Sequence, residues 1–321
     1  MTHLPLGPGR EFERIRSIAA VLGARAASLG DDCALIPLDN GDMLALSTDT
    51  SLEGAHFRRD WLTPEEIGWR AAASALSDLA AEGAEVIGVL SALTLPGDIT
   101  DSMVAAMMSG IGACVSEVGG KVLGGDLTRG TSLSLTVTVV GRAARAVTRQ
   151  GAKAGDGVWV TGTLGSARAA LAAWDSGREP RPTARIAFAR PQPRIAAGRF
   201  LADVGATAML DLSDGLAGDA RHLAAASGVA LDIDLARLPI GAGVSEASSV
   251  LQVDPAAFAA EGGEDYELLA TLPPRAAAKL KRAAAEVGVP FTLIGSVTAG
   301  EGVRLHLDGA EVSIAGYDHF R

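Results

Sequence analysis

The chain is poor in aromatic residues, 4% of its 321 positions, and has only two cysteines, Cys33 and Cys114. With so few rings, alanine and small aliphatics must fill the interior, and a hydrophobic content of 48% is enough for a real core. Neither cysteine belongs to a CxxC pair, so two lone thiols fit a reducing cytoplasm better than a disulfide scaffold. Basic charge is also short. Lys plus Arg number 28 against 38 Asp plus Glu, and the net charge of -10 argues against a nucleic-acid surface. Small anionic substrates stay in play, because a bound cation reverses the local sign. No run of about 18 apolar residues occurs, as a membrane span would need, and acids interrupt the N-terminal stretch where a secretion signal would be apolar. Phosphate loops of the GxxxxGK[ST] type are missing. "VTGTLGSARAA" lacks GxGxxG spacing and reads as a glycine turn opening a helix, its amides facing an anion at most. Ser213 lies in "DLSDG", not in a nucleophile elbow.

At this length the chain accommodates two domains. Residues 43–49 read as a strand with an acidic end. In 62–85, Thr63 is an N-cap, Pro64 the first helical residue, Glu66 the partner in a capping box and Gly83 a stop. A buried strand over 86–95 and a helix over 100–118 follow. "KVLGGD" reads as a short strand into a glycine turn, and 132–141 as an alternating strand. The polar, basic segment 142–157 marks a boundary, giving domains 1–146 and 147–321. Beyond it come strand, tight turn and helix. Residues 178–194, with four prolines and five arginines, read as an irregular connection. Strands at 207–212 and 229–235 flank a helix at 215–227. Next are a strand at 266–272, a helix at 274–287 and strands near 291–297 and 303–307. Helices and strands mix without strict alternation, which predicts an α/β fold in two layers with mixed sheets.

The informative feature is where the carboxylates fall. "GDDCALI" (Asp31, Asp32), "STDTSLEG" (Asp49), "ALSDLAAEG" (Asp78), "LGGDLTRG" (Asp126) and "DLSDG" (Asp211, Asp214) each set an acid beside glycine or at a strand end. Any one of them could be an ordinary turn. Asp78 resists that reading, because its helical spacing from Ile67, Ala71 and Ser74 puts it on a small, apolar face, with Glu65 and Arg70 on the solvated side. An unpaired carboxylate there is costly. Two carboxylates about 4 Å apart repel by roughly 4 kcal/mol at an effective dielectric near 20, so several converging acids require a divalent cation. An oxygen-only donor set without clustered His or Cys favours Mg²⁺ over zinc, with Ser47 and Thr48 adding oxygens beside Asp49. The function classes are then a Mg-dependent phosphate-handling enzyme or a non-catalytic nucleotide- or metal-binding assembly protein.

In order along the chain, "GDDCALI", "STDTSLEGAHF", "ALSDLAAEGA", "LSALTLPGD", "GGDLTRG", "DLSDGL", "GGEDYELL" and "GYDHF" resemble the thiamine-monophosphate kinase family from residue 30 to residue 320. The resemblance implies the two-domain fold of aminoimidazole ribonucleotide synthetase-like proteins, in which the N-terminal α/β domain pairs with its twin in a homodimer. It implies transfer of the γ-phosphate of ATP to thiamine monophosphate, with no nucleic-acid or membrane partner. Carried over, the Mg²⁺ ligands are Asp32, Ser47, Thr48, Asp49, Asp78, Asp126, Asp211 and Asp214. ATP contacts are Gly125, Asp126, Arg149 and Ser213, and the catalytic set is Asp49, Asp126 and Arg149. His56 and Glu264 contact the thiamine phosphate, and Tyr317 either packs in the core or stacks on it. Two departures stand out. "SEVGGKVLGGD" has no aromatic residue where relatives place a tyrosine, and Phe188-Ala189 replaces a His-Leu pair. A sibling activity of the same group, with another acceptor, is the alternative.

Overall fold

The computed structural model describes residues 6–26 and 29–316. In the first half, α1 (Arg10–Leu22) precedes β1 (Ala34–Pro37), β2 (Met43–Leu52), α2 (Pro64–Ala81), β3 (Glu85–Leu95), α3 (Asp101–Glu117), β4 (Lys121–Arg129) and β5 (Ser134–Ala143). The second half runs β6 (Gly157–Thr161), α4 (Ser166–Asp175), α5 (Pro182–Ala189), α6 (Ile195–Val204), β7 (Ala208–Asp211), α7 (Leu216–Ser227) and β8 (Ala230–Asp234). It continues through α8 (Val244–Leu251), α9 (Pro255–Glu261), β9 (Leu268–Leu272), α10 (Ala277–Val287), β10 (Phe291–Thr298), β11 (Gly302–Leu307) and β12 (Ala310–Val312). The strands form two mixed sheets, ordered β1-β2-β5-β3-β4 and β12-β11-β8-β10-β6-β9-β7. The β3–β4 pair in the first and the β8–β11 pair in the second are parallel.

Helix α2 is the axle. Its capping box between Thr63 and Glu66 is present, with Pro64 at the first turn, and Gly83 terminates it at φ +67°. It is buried almost all round because its residues are small. Ala71, Ala72, Ala73, Ala75, Ala80 and Ala81 let the first sheet, α3 and the second half approach together. The crossing with α3 is so close that a Cβ on Gly68 would stand 1.9 Å from the Met107 carbonyl oxygen, and one on Gly110 1.9 Å from that of Glu65. Helix α6 meets α2 the same way, through Gly198 against the carbonyl of Ala80.

Three expectations are corrected. "KVLGGD" does not turn: β4 runs on through Gly125 and Asp126 to Arg129, because its parallel register with β3 supplies the hydrogen bonds a turn would have forfeited. Segment 178–194 is not irregular throughout, since Pro182 starts α5 and its arginines are tied down, Arg185 to Glu66 and Arg194 to Glu267. Arg70 is not on a solvated face; it is 2% exposed.

Candidate active site

Strand β2 alternates its side chains between two faces. Ala45, Ser47 and Asp49 point toward α2, while Thr48 and Thr50 point to the open face, where their hydroxyls meet those of Thr138 and Thr136 at 2.9 Å. Ser47 Oγ donates to Asp78 on α2 at 2.5 Å. The end of β7 brings Asp211 to the same place, and the loop leading into β1 brings Asp32. Oxygens of Asp32, Asp78 and Asp211 lie within 4.8 Å of one another. The apolar face inferred for Asp78 thus meets two further acids.

Electrostatics follow from that crowding. Burial, then the charges of Asp211 and Asp32, push the Asp78 carboxyl well above the usual range. Burial and Asp32 raise Asp211 to about 7. Among the described residues no Lys or Arg forms a salt bridge with Asp49, Asp78 or Asp211. Arg149 grips Asp32 instead, with Nη2–Oδ1 at 2.6 Å and Nε–Oδ2 at 3.2 Å, and its backbone N–H donates to Asp31. Burial opposes the charge on Arg149, but Asp32, Asp31 and Asp211 outweigh that, so it stays a guanidinium. Asp219, in the first turn of α7, holds the "DLSDG" loop by accepting from the Asp214 N–H at 3.1 Å.

A cavity of about 910 Å³ opens beside these acids, lined among others by Asp49, His56, Asp78, Asp211, Ser213 and Asp214. Arg168, Leu171, Phe258, Glu264 and Tyr266 line it as well. The Glu264 N–H donates to Ser213 O at 2.8 Å and the Tyr266 N–H to Leu212 O at 2.9 Å, so "GGEDYELL" is laced to "DLSDG". Both residues sit at positive φ, 71° and 50°, a conformation side-chain-bearing residues seldom adopt. Arg70 fixes the Glu264 carboxylate by a salt bridge, donates to the carbonyls of Phe188 (2.6 Å) and His56 (3.4 Å), and stacks 3.8 Å from the Phe188 ring centroid. Tyr266 Oη donates to the same carboxylate at 2.8 Å. His56 Nδ1 accepts from the Leu52 N–H at 3.1 Å; with that nitrogen an acceptor, Nε2 carries the proton. Sequence reasoning missed Arg70, Tyr266 and Asp219. Arg70 held the one available signal, a charge inside an otherwise small-residue helix.

Gly125 and Asp126 stand elsewhere. The register Thr50–Thr136–Ala92–Asp126 sets Asp126 on the open face of the first sheet, on its edge strand and exposed. Three strand spacings of about 4.8 Å separate its row from β2, and Asp49 faces the other way. A Cβ on Gly125 would meet the Ser91 carbonyl at 1.8 Å, so that glycine is required by the β3–β4 approach. Thr48 reaches the cavity rim, but its hydroxyl is on the open face too. Tyr317 lies outside the described residues.

Two α/β halves around a carboxylate-rich cleft define an AIR synthase related protein. The model for the N-terminal domain of that family matches residues 30–143 and that for the C-terminal domain residues 153–308. Thiamine-monophosphate kinase of Escherichia coli O157:H7 is 39% identical over 323 residues, covering 97% of this chain and 96% of its own. That of Halobacterium salinarum is 36% identical over 305 residues, covering 95% and 99%. The structure of AaThiL complexed with AMPPCP and TMP superimposes with a TM-score of 0.87 at 34% identity, covering 100% of this chain and 99% of that one. The chain belongs to the thiamine-monophosphate kinase family. The hydrogenase maturation protein HypE shares the fold, with a TM-score of 0.74 at 18% identity.

Proposed function

We propose that this chain is a cytoplasmic, Mg²⁺-dependent enzyme that phosphorylates thiamine monophosphate with ATP, yielding thiamine diphosphate and ADP. The observation that carries the reading is the single cleft in which Asp49, His56, Asp78, Asp211, Ser213, Asp214 and Glu264, scattered over more than two hundred residues of sequence, converge. The solved relative with AMPPCP and TMP bound supports the same pairing of substrates. Two free, buried thiols, Cys33 and Cys114, agree with a reducing compartment.

Mg²⁺ fits the donor set: oxygens only, several carboxylates, no neutralising base at Asp49, Asp78 or Asp211. Asp32, Ser47, Asp49, Asp78, Asp211 and Asp214 would hold it, and when bound it offsets the repulsion between two anionic phosphates. The chain's own groups do the rest. Arg149, held at Asp32, would turn to a phosphate of ATP once a cation takes over Asp32, and Ser213 would contact another. The acceptor phosphate is mostly dianionic at pH 7, with a second pKa near 6 like that of phosphorylated side chains, so it needs no general base. His56 offers its Nε2–H to the acceptor, and Glu264, immobilised by Arg70 and Tyr266, contacts the organic part of thiamine phosphate.

We assign Thr48, Gly125 and Asp126 to a site completed by a second copy of the chain. Their open sheet face carries exposed Leu90, with exposed Ile87 and Leu123 at the register shifts of β3 and β4, the kind of apolar patch that marks an interface. The N-terminal unit, 1–146, is then the dimerisation unit and 147–321 the second domain. Product analysis after incubation with ATP, Mg²⁺ and thiamine monophosphate tests the activity. Thiamine diphosphate and ADP in equal amounts are expected, and ATP consumed only with a different phosphate acceptor would assign a sibling reaction. For the shared site, inactive Asp49→Asn and Asp126→Asn proteins are mixed and allowed to exchange. Recovered turnover supports the assignment, and none in demonstrated mixed dimers refutes it.

A further inference from the structure

Behind the cleft lies a second group of acids, of which the proposed reaction uses only Asp32. Oxygens of Asp31, Asp32 and Glu82 come within 4.8 Å of one another. Glu82 is 0% exposed, and its Oε2 has no hydrogen-bond partner among the described residues. Its Oε1 has one long contact, from the Cys33 N–H at 3.4 Å. The side chain cannot escape to water by a backbone shift. Glu82 is the C-cap of α2, its N–H bonded to the Asp78 carbonyl and its own carbonyl accepting from Val147 at 3.2 Å. The next residue, Gly83, is packed against Ala202 and Gly198 of α6.

Around this pocket the donors fall short of the acceptors. Asp31 Oδ1 accepts from the backbone N–H groups of Asp32 and Arg149, both at 3.1 Å. The Arg149 guanidinium is committed to Asp32. With all three ionised, three carboxylates and one arginine leave a surplus of two negative charges. A buried, unpaired carboxylate costs several kcal/mol, and a hard divalent ion removes that cost. Oxygens bound at roughly 2.0–2.6 Å from Mg²⁺, Mn²⁺ or Ca²⁺ stand some 3–5 Å apart, which matches the spacing of these three side chains.

We infer that Asp31, Asp32 and Glu82 form a binding site for a divalent cation that is retained without nucleotide, on the far side of Asp32 from the cleft. The ion fastens the loop before β1 to the C-terminal end of α2, and through Arg149 to the connection between the halves. This site stands whether or not the chain phosphorylates thiamine monophosphate.

The test is equilibrium dialysis of the full chain against Mn²⁺ without nucleotide, comparing wild type, Glu82→Gln and Asp211→Asn. Wild type and Asp211→Asn are expected to keep an ion that Glu82→Gln loses, one fewer Mn²⁺ per chain. Equal occupancy in wild type and Glu82→Gln overturns the site and leaves Glu82 as a carboxyl that merely holds a proton. Should Glu82→Gln fail to fold, anomalous diffraction from wild-type crystals soaked in Mn²⁺ decides. A peak within bonding distance of Glu82 Oε2 supports the site, and its absence at saturating Mn²⁺ refutes it.

Discussion

Two groups of acids in and around the cleft use the same residue type in opposite ways. In and behind the segment "GGEDYELL" three acids have their own arginines: Glu264 has Arg70, Glu267 has Arg194 at 2.6 Å and Glu261 has Arg168 at 2.6 Å. In the crowded group only Asp32 is so paired, while Asp49, Asp78 and Asp211 form no salt bridge with Lys or Arg among the described residues. Paired acids build walls. Acids left without a base, and crowded within a few ångströms, are held in reserve for a cation that arrives with substrate. The lesson is that the missing partner, rather than the acid, distinguishes a site from a scaffold.

Breaking the contrast at its acid end has the largest effect. Asp49→Asn or Asp211→Asn is expected to cut turnover roughly 10²–10³-fold, the loss typical of removing one preorganised electrostatic contact, with little change in the melting temperature. Steady-state kinetics and a melting curve on the same samples check this; near-normal turnover in both variants would place the reaction elsewhere. At the paired end the balance reverses. Arg70→Met leaves Glu264 without its base and is expected to cost about 3–5 kcal/mol of stability, as for breaking a buried ion pair from one side, read from a denaturant midpoint. His56→Ala, which removes no ion pair, is expected to weaken use of thiamine phosphate while the dependence on ATP stays put.

Smaller effects come from pH. His222 on α7 is buried beneath Phe12, ring centroids 3.8 Å apart, and burial lowers its pKa to about 3. The unfolded chain takes up a proton at this histidine below about 6.5, whereas the folded one does not until about 3. Its contribution is therefore complete above pH 6.5 and falls away toward pH 3, by about 2 kcal/mol at pH 5. Urea unfolding from pH 7 to 5 of wild type and His222→Phe measures the difference. The raised acids work the other way. Asp211, near 7 when folded and near 3.8 when unfolded, favours the fold below about 3.8 and loses that benefit as pH rises through 7. Since a cation binds the deprotonated form, Mg²⁺ is expected to raise the melting temperature more at pH 8 than at pH 5.5.

Much of this was legible in the primary structure. The capping box at Thr63 to Glu66 and the periodicity of α2 are local signals, and Asp78's apolar neighbours announced a buried charge. What stayed hidden depends on tertiary partners. Arg70 reads as a surface residue until Phe188 and Glu264 arrive from over a hundred residues away. "GGD" reads as a turn because glycine and aspartate favour turns, and only the parallel partner β3 makes it a strand. Helix α5 was masked by the prolines flanking it, although Pro182 stands at a helix's first turn, where proline is well tolerated. The open-face placement of Asp126 follows from a register that no single segment contains.

The most direct measurement is the Mg²⁺ dependence of thiamine diphosphate formation by wild type and Asp211→Asn. In wild type, product is expected to vanish in EDTA and return on adding Mg²⁺, while Asp211→Asn needs far more Mg²⁺ or stays inactive. Undiminished product in EDTA, or identical Mg²⁺ curves for the two proteins, would contradict the role of the unpaired acids as the cation's ligands.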